Sequence, residues 1–251
     1  MIFIFWAIPF IFAVFAVSVI VGIIPATVMR LLGMRKASLY WTYLTGSWVG
    51  WSCLFFCGVK IHVSGEVRSL RQQLAEKRAL CYVVNHTSLL DIPVAVGPLH
   101  LITGYVTKLS VAFVPVFNLW LFAMHCVLIN RKSLKRGAES IRRGAEKIKR
   151  GMPMLIFPEG TRSRTGEIGV FRSGSFRLAT ESGADIVALT IRGVRYCLEE
   201  RRCFFKRRDC YVHVGNTYST KDLKDRTDVR NLVQKIETEI RNTYDAMPDR
   251  G

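Results

Sequence analysis

The sequence contains few acidic residues for its length, and this shortage narrows the classes of partner. Its 251 residues include 19 acidic and 36 basic ones, so the formal net charge is 36 − 19 = +17. Such a charge indicates an anionic partner: nucleic acid, an anionic lipid surface or an acidic carrier protein. Because 50% of the residues are hydrophobic and many of these concentrate near the start of the chain, we expect membrane lipid and not nucleic acid.

The sequence also lacks the cysteine patterns that bind zinc. Its seven cysteines include no C-x-x-C pair and no Cys/His cluster, and they stand at positions 53, 57, 81, 126, 197, 203 and 210. Several lie in apolar runs, where a thiol behaves as a small buried hydrophobe. We therefore expect a reduced, cytosol-facing domain with no structural disulfide, no metal and no cofactor.

A further absence concerns nucleophilic serine chemistry. The sequence contains no G-x-S-x-G motif, the sharp turn that exposes the nucleophile of α/β-hydrolases. A lipid esterase is therefore disfavoured.

Charged residues are missing from the stretch between Ile2 and Met29. As a helix it would extend about 42 Å, more than the ~30 Å hydrocarbon core of a bilayer, and it predicts a membrane anchor. A second uncharged stretch, 37–59, carries the interfacial aromatics Trp41, Trp48 and Trp51. It either returns as a hairpin or lies in one leaflet. We expect residues 1–60 to form a two-helix membrane-anchoring segment and residues 61–251 an α/β domain.

The rest of the chain alternates short apolar runs with helical patterns, which is typical of an α/β fold. The runs predict strands at Ile61–Ser64, Leu80–Val84, Val127–Ile129, Met154–Phe157, Ile186–Ile191 and Cys210–Val214. Several are continuously apolar, as in strands covered on both faces. Amphipathic periodicity predicts a helix over 133–150 and another near the C-terminus, capped by Thr227 or Asp228. The fold class is therefore a mixed, largely parallel sheet flanked by helices.

A third uncharged stretch, 109–130, also resembles a membrane span. Pro115, Asn118 and His125 interrupt it, and its end reads as a buried strand. A crossing there would place Lys108 and Arg131 on opposite sides of the bilayer. We expect it to stay on one side.

His86 directly follows the predicted strand Leu80–Val84, where α/β sheets open their ligand crevices. Asp91 stands five residues later, and a bend would bring its carboxylate against the imidazole, as in a hydrolytic triad. Seen alone, the pair also fits a structural histidine and a helix cap. With no protein nucleophile, the histidine is best suited to deprotonate a substrate hydroxyl.

The segment Phe157-Pro158-Glu159-Gly160-Thr161-Arg162 begins at the end of another strand. Gly160 and Thr161 can present backbone amides, and Arg162 can bind a phosphate with two hydrogen bonds. Lys108 and Arg131 add positive charge next to strands. Each cation taken alone also fits a solvated surface position.

These two motifs, Asn85 to Asp91 and Phe157 to Ser163, resemble the first and third sequence blocks of the glycerolipid acyltransferases. The similarity extends over roughly residues 60–195 and is greatest to the 1-acylglycerol-3-phosphate acyltransferases. Lys108, Pro115 and Ile129-Asn130-Arg131 resemble the second block, which commonly ends in Asp-Arg, and Phe171-Arg172-Ser173-Gly174 resembles a later basic stretch. The fourth block usually contains a proline where this chain has Val187-Ala188-Leu189.

The resemblance implies an enzyme that transfers a fatty acyl group from acyl-CoA or acyl carrier protein to lysophosphatidic acid, giving phosphatidic acid for phospholipid biosynthesis. His86 would be the general base and Asp91 its orienting partner. Lys108, Arg131 and Arg162 would hold the acceptor phosphate, while Glu159, Gly160 and Thr161 shape the turn. The site would lie at the inner membrane or its equivalent, facing the cytoplasm. Two alternatives stay open, namely a different lyso-lipid acceptor and a non-catalytic membrane-binding protein on the same fold.

Overall fold

A computed structural model describes residues 2–76, 78–101, 103–130, 133–200 and 207–249. Within these ranges seven strands form one sheet in the order β1-β7-β6-β2-β5-β3-β4. The strands are β1 Val59–Gly65, β2 Leu80–Val84, β3 Gly104–Lys108, β4 Val127–Ile129, β5 Met154–Ile156, β6 Asp185–Arg192 and β7 Arg208–Tyr218. Neighbouring strands run parallel except β6 and β7. The predicted fold class is confirmed.

The predicted coverage of the sheet on both faces is also confirmed. Alternate residues of β2 enter two separate cores: Leu80, Tyr82 and Val84 face one, and Cys81 and Val83 the other. This follows from the two-residue period of a strand. All five side chains are fully buried, which explains why the run is apolar without alternation.

Helices cover the two faces. They are α1 Ile2–Ser18, α2 Ile24–Leu31, α3 Arg35–Phe56, α4 Val67–Ala75, α5 Asp91–Val96, α6 Phe117–Ala123, α7 Leu134–Lys149, α8 Ser173–Thr180, α9 Arg195–Leu198 and α10 Arg226–Ala246. Helices α3, α4 and α5 contribute to the first core, and α7, α8 and α10 to the second. The domain is thus a three-layer sandwich.

The predicted amphipathic helices are present, with one correction at a terminus. Ser133 caps α7, since its side chain accepts a hydrogen bond from the amide of Arg136. Helix α10 is capped by Asp225, whose carboxylate accepts from the amides of Thr227 and Asp228. The cap expected at Thr227 or Asp228 was therefore placed too late, because these residues supply the amides and Asp225 the acceptor.

The N-terminal segment is a helical hairpin. Helices α1 and α2 join through a π-helical turn, Val19–Ile23, and α3 returns along them after a turn at 32–34. The hydroxyl of Ser38 donates to the carbonyl of Ala26, and the indole of Trp41 to that of Val21. Within the described chain, one helix, Phe12–Leu31, is long and apolar enough to cross a membrane.

The returning helix packs closely on α5, the helix that begins with Asp91. A Cβ on Gly50 would lie 3.1 Å from the carbonyl oxygen of Pro93 and 3.2 Å from the amide nitrogen of Gly97. The hairpin therefore also supports the element that carries a predicted site residue.

The uncharged stretch 109–130 does not form a continuous helix. It contains a 3₁₀ turn, Leu109–Phe113, then α6 and β4. Since β3 and β4 are parallel neighbours, with Lys108 opposite Ile129, the stretch returns to the sheet edge that it left. The stretch therefore contains no helix long enough to cross a bilayer, and that it stays on one side remains a prediction.

We predict that Gly50→Ala lowers the free energy of unfolding by about 1–3 kcal/mol, because the added methyl group meets backbone on a facing helix. Gly137→Ala is the matched control. Gly137 also lies inside a helix, but its Cβ would be 3.7 Å from the nearest atom, the carbonyl oxygen of Asn130. That substitution should raise stability by about 0.5–1 kcal/mol. Thermal unfolding of both variants in detergent tests this, and equal shifts of the same sign would contradict it.

Candidate active site

The predicted site residues follow adjacent parallel strands at one edge of the sheet. His86 follows β2, the Phe157–Arg162 turn follows β5 and Lys108 ends β3, while β4 ends at Ile129, two residues before Arg131 in the sequence. In the sheet these strands lie side by side in the order β2, β5, β3, β4. Their carboxyl ends share an edge, the usual location of ligand crevices in open α/β sheets.

The imidazole of His86 contacts the carboxylate of Asp91. Nδ1 of His86 lies 2.8 Å from Oδ2 of Asp91. The same oxygen accepts hydrogen bonds from the amides of Thr87 at 2.8 Å and Ser88 at 2.9 Å. Asp91 is the first residue of α5. Its side chain therefore folds back over the turn 86–90.

Asp91 is fully buried, and burial raises the pKa of its carboxyl above the usual value. The imidazole and the two amides oppose this shift, since each favours the ionised form. Because no water reaches the carboxylate, its interaction with the imidazole is stronger than in an exposed pair.

The chain offers such an exposed pair for comparison. Nε2 of His62 lies 2.6 Å from Oδ1 of Asp209, but 40% of the histidine side chain and 29% of the aspartate side chain are exposed. The corresponding values for His86 and Asp91 are 17% and 0%. The two pairs have similar contact distances and differ in burial.

The ring of His86 is held from a second side by Phe157. The two rings stack with centroids 3.9 Å apart and an interplanar angle of 16°. Stacking and the Asp91 contact fix the plane of the imidazole. Nε2 makes no hydrogen bond among the described residues and is directed away from the Asp91 contact.

Glu159 connects the two motifs through the backbone. Its Oε1 accepts from the amide of His86 at 2.7 Å and its Oε2 from the amide of Gly169 at 3.1 Å. Only 5% of the residue is exposed, and burial raises the pKa of its carboxyl. Because both oxygens hold backbone amides, Glu159 positions the motifs, a role consistent with the predicted shaping of the turn.

The amides of Gly160 and Thr161 were predicted to face a ligand, but the turn after β5 uses the first of them for its own hydrogen bond. The amide of Gly160 donates to the carbonyl of Phe157 at 3.0 Å, which closes the turn, and its φ of +78° favours glycine. Thr161 and Arg162 are exposed and line a cavity of about 390 Å³ together with Glu159 and Arg172. The side of the turn with Arg162 therefore faces space that can hold a ligand.

Of the two remaining cations, the structure places one. Lys108 is exposed at the end of β3, two strands from β2 and thus roughly 10 Å away at the usual strand spacing. Arg131 lies outside the described residues. The roles of Lys108, Arg131 and Arg162 in binding stay predictions.

One residue that contacts both motifs of the site was not predicted from the sequence. Glu199, just after α9, contacts Ser88, Leu89 and Arg162. It lies more than a hundred residues from Ser88 and in no recognisable motif, so no local pattern indicated it.

Comparison with known proteins places this geometry in a family. The family model described as "Acyltransferase" matches residues 60–192. The 1-acyl-sn-glycerol-3-phosphate acyltransferase of Borreliella burgdorferi is 26% identical over 161 residues, which cover 64% of this chain and 62% of that protein. A probable 1-acyl-sn-glycerol-3-phosphate acyltransferase of Mycoplasma pneumoniae is 28% identical over 201 residues, covering 76% and 73%.

A solved structure has the same fold. The crystal structure of the 1-acyl-sn-glycerophosphate acyltransferase PlsC from Thermotoga maritima superposes with a TM-score of 0.74 at 19% identity. The match covers 96% of this chain and 97% of that one. The likeness therefore includes the N-terminal hairpin as well as the sheet.

We predict that Glu159→Gln lowers the free energy of unfolding by about 1–3 kcal/mol, since one backbone amide would face the side-chain NH₂ group and lose its acceptor. The control is Glu167→Gln, an exposed position in the same loop, which should change stability by less than about 0.5 kcal/mol. Both are measured by thermal unfolding at neutral pH. Indistinguishable midpoints for the two variants would refute this role of Glu159.

Proposed function

The chain belongs to the acyltransferase family, and from this premise we propose that it transfers a fatty acyl group from a thioester to the free hydroxyl of lysophosphatidic acid, giving phosphatidic acid. The observation that carries the proposal is the buried His86–Asp91 pair, which Glu159 ties to the turn where Arg162 lines a cavity. The first supplies a base for a hydroxyl, and the second a cation for a phosphate.

The chemistry follows from the two nitrogens of the imidazole. Asp91 holds Nδ1 as N–H, so Nε2 carries the lone pair and accepts the proton of the acceptor hydroxyl. The oxygen attacks the carbonyl carbon of the thioester, and the carbon–sulfur bond breaks as the tetrahedral intermediate collapses. The imidazolium returns its proton to the thiolate, giving a free thiol and an ester. Asp91 stabilises the imidazolium between these steps.

Arg162 supplies the selectivity for a phosphorylated acceptor. Its guanidinium presents a planar set of donors that matches two phosphate oxygens. Lys108, on the same edge of the sheet, adds a second positive charge. Arg131 is proposed for the same task from its place in the motif alone.

The acyl donor is acyl-CoA or an acyl carrier protein in this proposal. Both are anionic, and the net charge of +17 favours their approach. The reaction itself requires neither a redox step nor a phosphoryl transfer.

We further propose that the N-terminal segment, residues 1–60, which contains the hairpin, anchors the enzyme at the inner membrane or its equivalent, with the catalytic edge on the cytoplasmic side. A second apolar surface supports the placement of this edge close to the membrane surface. In the 3₁₀ turn and α6, Phe113 is 79% exposed and Phe122 is 65% exposed. This surface adjoins the anchor, because the indole of Trp120 donates to the hydroxyl of Ser18 and Phe15 contacts Phe117.

The proposed chemistry predicts that His86→Ala loses about 10²–10⁴-fold in the rate of acyl transfer, the usual contribution of a general base. The assay incubates the full-length enzyme with labelled acyl-CoA or acyl carrier protein and a panel of lyso-lipid acceptors. His62→Ala is the matched control, since it removes the histidine of the exposed pair, and it should keep its activity within about twofold. Near-normal turnover by His86→Ala would eliminate the proposed base. Preference for an acceptor without a phosphomonoester would eliminate the proposed substrate.

The proposed membrane placement is tested by photo-crosslinking in vesicles that contain a diazirine-bearing phospholipid. We expect labelled peptides from Phe12–Leu31 and from 109–122, because both present apolar side chains outward. Peptides from α10, which covers the opposite face of the sheet, should stay unlabelled. Labelling of α10 at the level of 109–122 would contradict the placement.

A further inference from the structure

The carboxylate of Glu199 joins the two motifs of the site from outside the matched family region, which ends at residue 192. Its Oε2 accepts from the hydroxyl of Ser88 at 2.7 Å. Its Oε1 accepts from the amide of Leu89 at 2.8 Å and from Nη1 of Arg162 at 3.1 Å. The side chain is 18% exposed.

These contacts hold Arg162 in position relative to the turn that carries the base. Ser88 and Leu89 belong to the turn between His86 and Asp91, and Arg162 is the proposed phosphate ligand. The carboxylate of Glu199 therefore links the side chain of the arginine to the turn that carries the base.

The guanidinium keeps donors for a ligand while it is held. Glu199 takes Nη1, whereas Nε and Nη2 of Arg162 make no hydrogen bond among the described residues. The arginine side chain is 41% exposed and lines the cavity of about 390 Å³. An untethered arginine would lose more rotamer freedom when it binds a phosphate, so the contact pre-organises it.

The segment around Glu199 is itself held against the loop that follows the arginine. Nη1 of Arg195 in α9 donates to the carbonyl of Ser163 at 3.0 Å, and its Nη2 donates to that of Arg164. The amide of Ser163 in turn donates to the carbonyl of His86 at 2.9 Å. These contacts hold helix α9 in place, and with it the backbone from which the Glu199 side chain extends.

We propose that Glu199 is a positioning residue that sets the distance between Arg162 and His86, so that an acceptor is bound with its phosphate and its hydroxyl in register. This inference rests on the proposed function, because it assigns Arg162 to the acceptor phosphate. Glu199 acts through Arg162 and does not contact substrate. The turn at 86–91 keeps its own support without it, since Asp91 holds the amides of Thr87 and Ser88.

The test is a double-mutant cycle on the full-length enzyme with lysophosphatidic acid as acceptor. Glu199→Ala should raise the KM for this acceptor about 10-fold, equivalent to about 1.4 kcal/mol, with kcat within about threefold. Arg162→Ala should raise KM at least as much. In the Arg162→Ala background, adding Glu199→Ala should change KM by less than twofold, because its route of action is gone.

Conservative variants separate geometry from charge. Glu199→Gln should recover most of the affinity, since its carbonyl can accept from Leu89 and Arg162 while its amide donates to the Ser88 hydroxyl. Glu199→Asp keeps the charge but shortens the side chain by one methylene group, and it should raise KM several-fold. If the alanine variant unfolds, Glu199→Asp takes its place in the double-mutant cycle. Glu181→Ala, which removes the carboxylate of an exposed Arg177 pair on α8, is the control and should match the wild type.

The possible outcomes distinguish the two proposals. Wild-type enzyme that acylates no lysophosphatidic acid overturns the proposed function. Wild-type enzyme that does acylate it, with independent, multiplying effects of Glu199→Ala and Arg162→Ala on KM, overturns the positioning role alone. A KM for Glu199→Gln below that of the wild type also overturns that role, because the carboxylate would then compete with the phosphate.

Discussion

The site depends on one buried oxygen, Oδ2 of Asp91, which accepts from two amides of the 86–91 turn and contacts the imidazole that the turn carries. The same atom therefore shapes the turn and orients the histidine. Because the carboxylate is fully buried, water does not compete for these contacts, and their geometry is strongly determined. The exposed His62–Asp209 pair shows that proximity alone does not produce such an environment.

The rest of the fold places this turn at the edge of the sheet where the carboxyl ends of the parallel strands meet. The neighbouring parallel strands β2, β5 and β3 end side by side, and the residues at their ends supply a base, a turn with an arginine, and a lysine. Glu159 and Glu199 then connect the motifs, the first through backbone amides and the second through Arg162. The hairpin packs on the helix that Asp91 begins, so the proposed anchor and the proposed base share one packed unit.

Local signals in the sequence predicted much of this arrangement. Leu80–Val84 and Val127–Ile129 are strands with the predicted bounds, because short continuous apolar runs with polar ends have few other solutions in an α/β pattern. Strand β3, Gly104–Lys108, was missed, since its residues alternate weakly and one end is exposed. The contact of His86 with Asp91 could be predicted from the sequence because the two residues are only five positions apart. The bridge from Glu199 to Ser88 joins positions 111 residues apart, and no periodicity or motif encodes it.

The central claim is that Asp91 leaves Nε2 of His86 as the basic nitrogen. It is tested most directly by NMR of the full-length protein with ¹⁵N-labelled histidine, at a pH where this imidazole is neutral, with His86 assigned by the signals lost in His86→Ala. We expect the proton to reside on Nδ1 and Nε2 to be unprotonated, and we expect Asp91→Ala to remove this preference. A proton on Nε2 in the wild-type enzyme would contradict it, because the nitrogen facing the substrate would then have no lone pair to accept a proton.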